Sequence, residues 1–252
     1  SSLQALTPEI LAMEFQVSQS NQLLGLEDRA KLLNRLGDTL LKQNHIFEAE
    51  GTFRPGNLFD YLTRSQVTGV LEARDILIAV LQGMGEIWPD GSWIDNVAIG
   101  DAGYHEVVKR SDITDGIVPF HKLSQWMSYS LIEPLQEAGF KINNLDALTG
   151  LAEYRNGGLF IDTKAISLKD RTQLEVVHDP KSPLVVEWRA LTVVLLDKLA
   201  EKIRRSTNTD SGSMPLASIL QGGTWSAGRR IAKQLRANGG PPLQLNSRGT
   251  IF

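Results

Sequence analysis

The segment SPLVVEWRALTVVLLDKLAEKIRR, residues 182–205, limits what this chain can fold into more than any other. Ser182 sits where an N-cap is expected and Pro183 in the first turn, so a helix starts there and its pattern runs to about Arg205. Leu184, Val185, Val186, Trp188, Leu191, Val193, Val194, Leu195, Leu196 and Leu199 cover almost every direction around its first half. A helix apolar on nearly all sides is central, and the rest of the chain has to pack around it. Two charges interrupt the cylinder. Glu187 neighbours Leu184, Leu191 and Val194 at helical spacing, and Arg189 neighbours Val185, Val193 and Leu196. Both are therefore expected inside the protein, where an unpartnered charge costs roughly 3–5 kcal/mol.

The run LAEYRNGG, Leu151 to Gly158, supplies partners for them. Glu153, Tyr154 and Arg155 are consecutive and cannot all occupy one solvated helical face, and the Asn156-Gly157-Gly158 that follows reads as a bend. An inward carboxylate here needs an ion pair or a substrate. Two crossed pairs among Glu153, Arg155, Glu187 and Arg189 satisfy the charges structurally. The same cluster opening onto a cavity satisfies them functionally, and the residues by themselves leave both readings open.

Elsewhere the 3.6-residue period dominates. Thr7 and Pro8 start a short helix, and Gly25 precedes a long one with Leu26, Ala30, Leu33, Leu36 and Leu40 on one face. Asn44 to Asn57 reads as a connection, Leu58 to Leu62 and Val70 to Leu81 as helices, and Trp88 to Gly116 as a long ordered loop. Pro119 opens a further helix that Pro134 kinks or restarts and Gly139 ends. Met214 to Leu220 and Thr224 to Ala237 are the last helices, and the tail alternates around Ser247, Arg248 and Gly249 as a hairpin or an extended cover strand. No linker or repeat breaks the 252 residues, so the expectation is one mainly α domain over residues 1–252 with a minor β element.

Composition narrows the function classes. With 42% hydrophobic residues the chain can bury a substantial core. A net charge of −3 without a basic tract offers no footprint for nucleic acid. Cysteine is absent, which removes disulfides, thiolate catalysis and Cys-ligated zinc and fits a cytoplasmic protein. No apolar run reaches the roughly 20 residues a membrane span requires. His45, His105, His121 and His178 lack any compact metal spacing, the glycine pairs lack a phosphate-loop ending, and Ser128 and Ser130 lack a nucleophile elbow. Neither a metal nor a cofactor is expected. Lys122, Gln125, Trp126 and Tyr129 form one helical stripe, which is either an aromatic wall with polar edges for a planar ligand or a solvated face resting on a neighbour.

The ordered motifs PFHKLSQW, LTGLAEYRNGG, VVEWRALTVVLLDKLA and GGTWSAGRRIA resemble the uncharacterised-domain family of the fungal and bacterial uracil-catabolism pathway, from near Leu6 to Phe252. More distantly, the landmarks are similar to those of queuosine-salvage nucleoside glycosylases, whose lysine, Asp-Tyr-Arg, Glu-Ile-Arg and late tryptophan motifs fall here on Lys122, on Glu153, Tyr154 and Arg155, on Glu187 and Arg189, and on Trp225. Glu153 stands where the glycosylases carry Asp, which sets the acid one methylene farther from the backbone. The resemblance implies hydrolysis of an N-glycosidic bond in a ribosylurea or related nucleoside. It makes Glu153 the catalytic carboxylate, with Lys122, Tyr154, Arg155 and Trp225 binding substrate and Glu187 and Arg189 in support, and the helical stripe adds Gln125 and Trp126 to the substrate-binding set. It further implies that a family N-terminal segment precedes residue 1. The rival expectations are a noncatalytic ligand-binding or scaffolding protein of the same pathway and a metal-assisted amidohydrolase. A pocket bounded by the Pro119 helix, the Glu153 turn and the start of the Ser182 helix is predicted, and the oligomeric state is open.

Overall fold

A computed structural model describes residues 2–64 and 68–246. The protein is mainly helical with short two-stranded pairings, as its periodicity predicts. Among the described residues no helix is long and apolar enough to cross a membrane. The chain gathers into two compact units.

One unit holds the chain up to Asp101 together with Met127–Asn144. Thr7 caps α1 (Pro8–Glu14), its hydroxyl accepting from the Ile10 amide at 3.3 Å. Gly25, left-handed at φ 71°, leads into α2 (Leu26–Lys42), which buries Ala30 and Leu40. The stretch expected as a plain connection instead contains α3 (Asn44–Phe47) and a hairpin pairing Glu48–Ala49 with Thr52–Phe53. Asn57 closes it, its side-chain amide donating to the carbonyls of Phe47 and Thr52 at 2.8 Å each, with Ile46 and Phe47 fully buried beneath. After α4 (Asn57–Thr63), Val70–Glu72 is a strand in parallel register with Lys141–Asn143, and the expected helix begins only with α5 (Ala73–Met84). Part of the expected long loop is a hairpin of Ser92–Ile94 with Val97–Gly100. Its two turn residues, Asp95 and Asn96, both have positive φ (43° and 65°), the conformation a tight two-residue hairpin turn demands.

The second unit gathers Ala102–Trp126 with the described residues from Leu145 on, and it carries every candidate site residue. Ala102–Tyr104 pairs antiparallel with Ile117–Pro119, so Pro119 closes a strand rather than opening a helix. Gly103 lets this hairpin lie against Val186, whose Cγ2 an added Cβ would meet at 2.5 Å. The helix α6 (Lys122–Glu137) follows His121, whose left-handed φ of 48° turns the chain into it. This conformation is uncommon for a side chain other than Gly or Asn.

The helix α7 (Tyr154–Asp162) runs straight through the Asn-Gly-Gly expected to bend. Gly157 is there for close approach: an added Cβ would meet Thr192 Oγ1 at 2.7 Å and the Trp188 indole at 2.8 Å. Those two residues belong to α8 (Pro183–Thr207), the predicted long helix, which buries Val185, Val186, Trp188 and Leu196 and ends at left-handed Asn208. Ser182 occupies the N-cap position, but its hydroxyl makes no capping bond. Nor is α8 covered on all sides, because Glu187, Leu191 and Val194 form an exposed stripe. The helix α9 (Leu216–Ile219) passes through a π-helical stretch, Leu220–Trp225, into α10 (Ser226–Leu235), which makes one nearly continuous helix where two were expected. Gln244–Leu245 lies parallel beside Val177–His178, the extended form of the tail. Ser247, Arg248 and Gly249 lie outside the described residues.

Candidate functional site

Glu153 is presented by a three-residue turn. Its amide donates to the Leu151 carbonyl at 2.8 Å, and the chain then enters α7 with Glu153 as N-cap. The carboxylate faces into the protein, and the residue is only 5% exposed. One carboxylate oxygen accepts from the Asn156 amide at 2.6 Å, so the acid satisfies donors that a helix N-terminus leaves without intrahelical partners. Burial pushes the carboxyl above the ordinary glutamate range. The amides of Arg155 and Asn156 and the positive charges of Arg155 and Lys122 oppose that shift without cancelling it.

The neighbouring turn is braced from several sides. Arg189 is buried and donates from Nε to the Ala152 carbonyl at 3.2 Å, with its guanidinium 4.0 Å from the Phe120 ring centroid. Phe120, Ala152 and Val186 form one core cluster, so this arginine holds backbone against the core. Asn156 is buried as well, and its side-chain amide donates to the Leu151 carbonyl at 3.3 Å. The Thr224 hydroxyl donates to Asn156 Oδ1 at 2.9 Å, which ties the π-helical stretch to the Glu153 turn. Such wide turns inside helices concentrate at functional sites.

The expected crossed pairs do not form. Arg155 lies 3.7 Å from Glu153 across a single turn, and its guanidinium stacks between the rings of Tyr154 (4.4 Å to the centroid) and Trp225 (5.0 Å). Arg229 approaches the same Trp225 ring at 5.0 Å. Glu187 and Arg189, two residues apart, sit about 200° apart around α8 and so face different ways. Glu187 is exposed and lines a cavity of about 350 Å³ that also includes Lys169, Trp188 and Leu191. Its expected burial beside Glu153 is thereby corrected.

The α6 stripe divides too. Lys122 is buried and close enough to Glu153 to lower its proton affinity. Gln125 is also buried and is structural in part, its Oε1 accepting from the Thr149 amide at 3.2 Å. Trp126 is 46% exposed. Lys122, Glu153, Tyr154, Arg155 and Trp225 are thus linked through Glu153 and Arg155, with Arg189 behind the turn. Asn156 and Thr224 were not singled out by sequence. Asn156 had a signal, standing three residues after an N-cap acid; Thr224 had none, because a π-helical turn leaves no periodicity to read. Among the described residues no group of three or more His, Asp or Glu is placed to hold a metal ion.

Thr224→Val removes the hydroxyl that serves Asn156 while keeping the shape. It is expected to destabilise the protein by about 1–3 kcal/mol, the cost of an unsatisfied buried acceptor, measured by thermal unfolding. It should also raise the Glu153 proton affinity further as Asn156 loosens, measured by carbon NMR of the carboxyl.

A family model described as "Protein of unknown function (DUF1688)" matches residues 1–252. Uracil catabolism protein 4 of Lachancea kluyveri is 38% identical over 277 residues, covering 99% of this chain and 62% of that protein. Protein urg3 of Schizosaccharomyces pombe is 39% identical over 257 residues, covering 99% of this chain and 60% of that protein. The chain therefore spans about three fifths of the length of these relatives. Matched along its whole length, the chain belongs to the DUF1688 family of proteins of unknown function.

Proposed function

We propose that this chain acts in uracil breakdown by hydrolysing the N-glycosidic bond of a ribosylurea or a related nucleoside. The observation that carries this reading is the Glu153 carboxylate, buried and fixed by backbone amides with Lys122 and Arg155 in electrostatic reach. The name of the Lachancea relative and the similarity of the Glu-Tyr-Arg and Glu-Trp-Arg motifs to nucleoside glycosylases support the pathway and the reaction type.

In the reaction, the C1′–N bond breaks and its electron pair leaves with the nitrogen fragment, so positive charge develops on the ribose. A fixed carboxylate stabilises that charge where water no longer screens it. Water adds its oxygen to C1′. Glu153 takes the proton this water loses, a task suited to a carboxylate of raised proton affinity, and passes the same proton to the departing nitrogen, so that new C1′–O and N–H bonds replace the C1′–N bond and one O–H bond of water. Lys122 donates a hydrogen bond to the carbonyl of the leaving fragment and offsets its growing negative charge. Tyr154 and Trp225 hold Arg155, and Arg189 holds the turn on which the acid sits.

The test is single-turnover hydrolysis of ribosylurea and of uridine, followed by release of free ribose. Ribose release from at least one is expected. Failure with both, under conditions where either ligand binds, would favour a noncatalytic ligand-binding protein. A pH profile adds a second check. Because the ionised form of Glu153 does the work and its proton affinity is raised, activity should rise with pH through a limb displaced above the ordinary glutamate range. A limb at the ordinary position would point to a different acid.

A further inference from the structure

The cavity beside Glu187 is separate from the Glu153 turn in both lining and chemistry. It holds about 350 Å³, within the range of small-molecule sites, and lies between α8 and the segment that follows α7. Its floor is apolar, built from Ile161, Trp188, Leu191 and Leu243. Three charged groups, Lys169, Asp170 and Glu187, also line it. Asp170 is spent on the Thr172 amide and hydroxyl at 3.0 and 2.7 Å, whereas Lys169 and Glu187 are exposed and neither is bonded to another group among the described residues. An apolar floor with one unspent donor and one unspent acceptor is the composition that holds and orients a small ligand.

We infer that this cavity is a second small-molecule site, taking a compact ring that carries an amide N–H beside a carbonyl, as cyclic amides and ureides do. The ring face lies on the apolar floor, the N–H donates to the Glu187 carboxylate, and the carbonyl accepts from the Lys169 ammonium. With two carboxylates, Glu187 and Asp170, against the single ammonium of Lys169, the lining disfavours a carboxylate ligand. A zwitterion would have to shed water from two charged groups to enter, and a neutral amide edge gives up much less. The site does not depend on Glu153 chemistry. It touches α7 through Trp188, whose indole meets Gly157 in the crossing of α7 and α8.

The probe is uracil, titrated to millimolar concentration into the full chain while the Trp188 indole N–H resonance, assigned with Trp188→Phe, is followed by NMR. Uracil should shift that resonance saturably. Binding should weaken by about tenfold or more in Glu187→Ala, which removes a charge-assisted hydrogen bond, and in Leu191→Trp, which fills the space. It should persist in Glu153→Gln. 1,3-Dimethyluracil, which keeps the ring and carbonyls but has no N–H, should bind about tenfold more weakly than uracil. Equal binding of the two compounds would overturn the assignment. So would no saturable shift with uracil, or binding lost in Glu153→Gln and unchanged in Glu187→Ala; loss of catalysis alone would bear only on the Glu153 reading.

Discussion

Glu153→Gln is expected to lower turnover by about 10²–10³ while nucleoside-like ligands still bind and the melting temperature stays level or rises. Glutamine keeps the side-chain length and an oxygen that can accept from the Asn156 amide, so the cap on α7 survives. It loses the charge that would stabilise a ribose cation and the base that would take the proton from water. The alternative reading of Glu153 as a purely structural ion-pair partner predicts a loss of stability instead, because its neutralisation would strand a buried guanidinium at a cost of roughly 3–5 kcal/mol. The structure removes that cost. Arg155 is partly solvated, stands 3.7 Å from the acid and is held by the faces of Tyr154 and Trp225.

The sign of the pH effect follows from the raised proton affinity of Glu153. A group bound more tightly to its proton in the folded state contributes stability that is fully present below its unfolded pKa and is lost as pH rises through its folded pKa. Wild type should therefore lose stability as pH rises through the interval between those two pKa values, and Glu153→Gln should not show this decline. Glu153→Ala, which also removes the cap acceptor, should be less stable than the glutamine variant by about 0.5–2 kcal/mol. Thermal unfolding across pH, paired with single-turnover hydrolysis on the same samples, separates the roles. A glutamine variant that melts lower and loses activity in proportion would make Glu153 structural, and one with wild-type cleavage would remove it from the chemistry.

The helices were legible where local chemistry determines them. Thr7-Pro8, Gly25 and Ser182-Pro183 mark three starts, and the apolar period of residues 183–205 marks the axis of the second unit. What escaped depends on partners distant in the chain. Val70–Glu72 is a strand because Lys141–Asn143 lies beside it, and nothing in Val-Leu-Glu reports that. The Asp95-Asn96 turn was a readable signal that its aromatic, glycine-rich surroundings obscured. At the site, that at least one of Glu153, Tyr154 and Arg155 points inward was legible, because three consecutive polar side chains cannot share one face; that it is Glu153 follows from its burial at the start of α7. The role of Arg189 was not legible, because a guanidinium that grips a backbone carbonyl leaves no spacing signature of its own. Glu187 is misplaced by its neighbours: Leu191 and Val194 read as core in the helical pattern, yet they form the exposed stripe to which it belongs.

Gly228→Ala should give the largest loss of stability among small substitutions near the site. The helix α10 approaches α7 at Gly228 so closely that a Cβ there would fall on the Arg155 carbonyl oxygen, well inside van der Waals contact. Backbone cannot swing aside as a side-chain tip can, so one helix has to move. Overpacking of this kind costs about 1–3 kcal/mol, and the upper end applies where the obstructing atom is main chain. For a chain of this size that corresponds to a fall of roughly 5–10 °C in melting temperature. The displacement has a chemical consequence as well. Trp225 precedes α10 directly and stacks on Arg155, so a shift of α10 separates the ring from the guanidinium and loosens Thr224 from Asn156. Tryptophan fluorescence should change with the melting temperature, and Glu153 should lose part of its backbone support. Gly222→Ala provides the control, because an added Cβ there meets nothing within 4 Å and the residue is exposed. Its melting temperature should stay close to wild type, within the roughly 0.5 kcal/mol typical of surface changes. Equal behaviour of the two variants would mean that the close crossing of α7 and α10 does not hold the Glu153 turn in place.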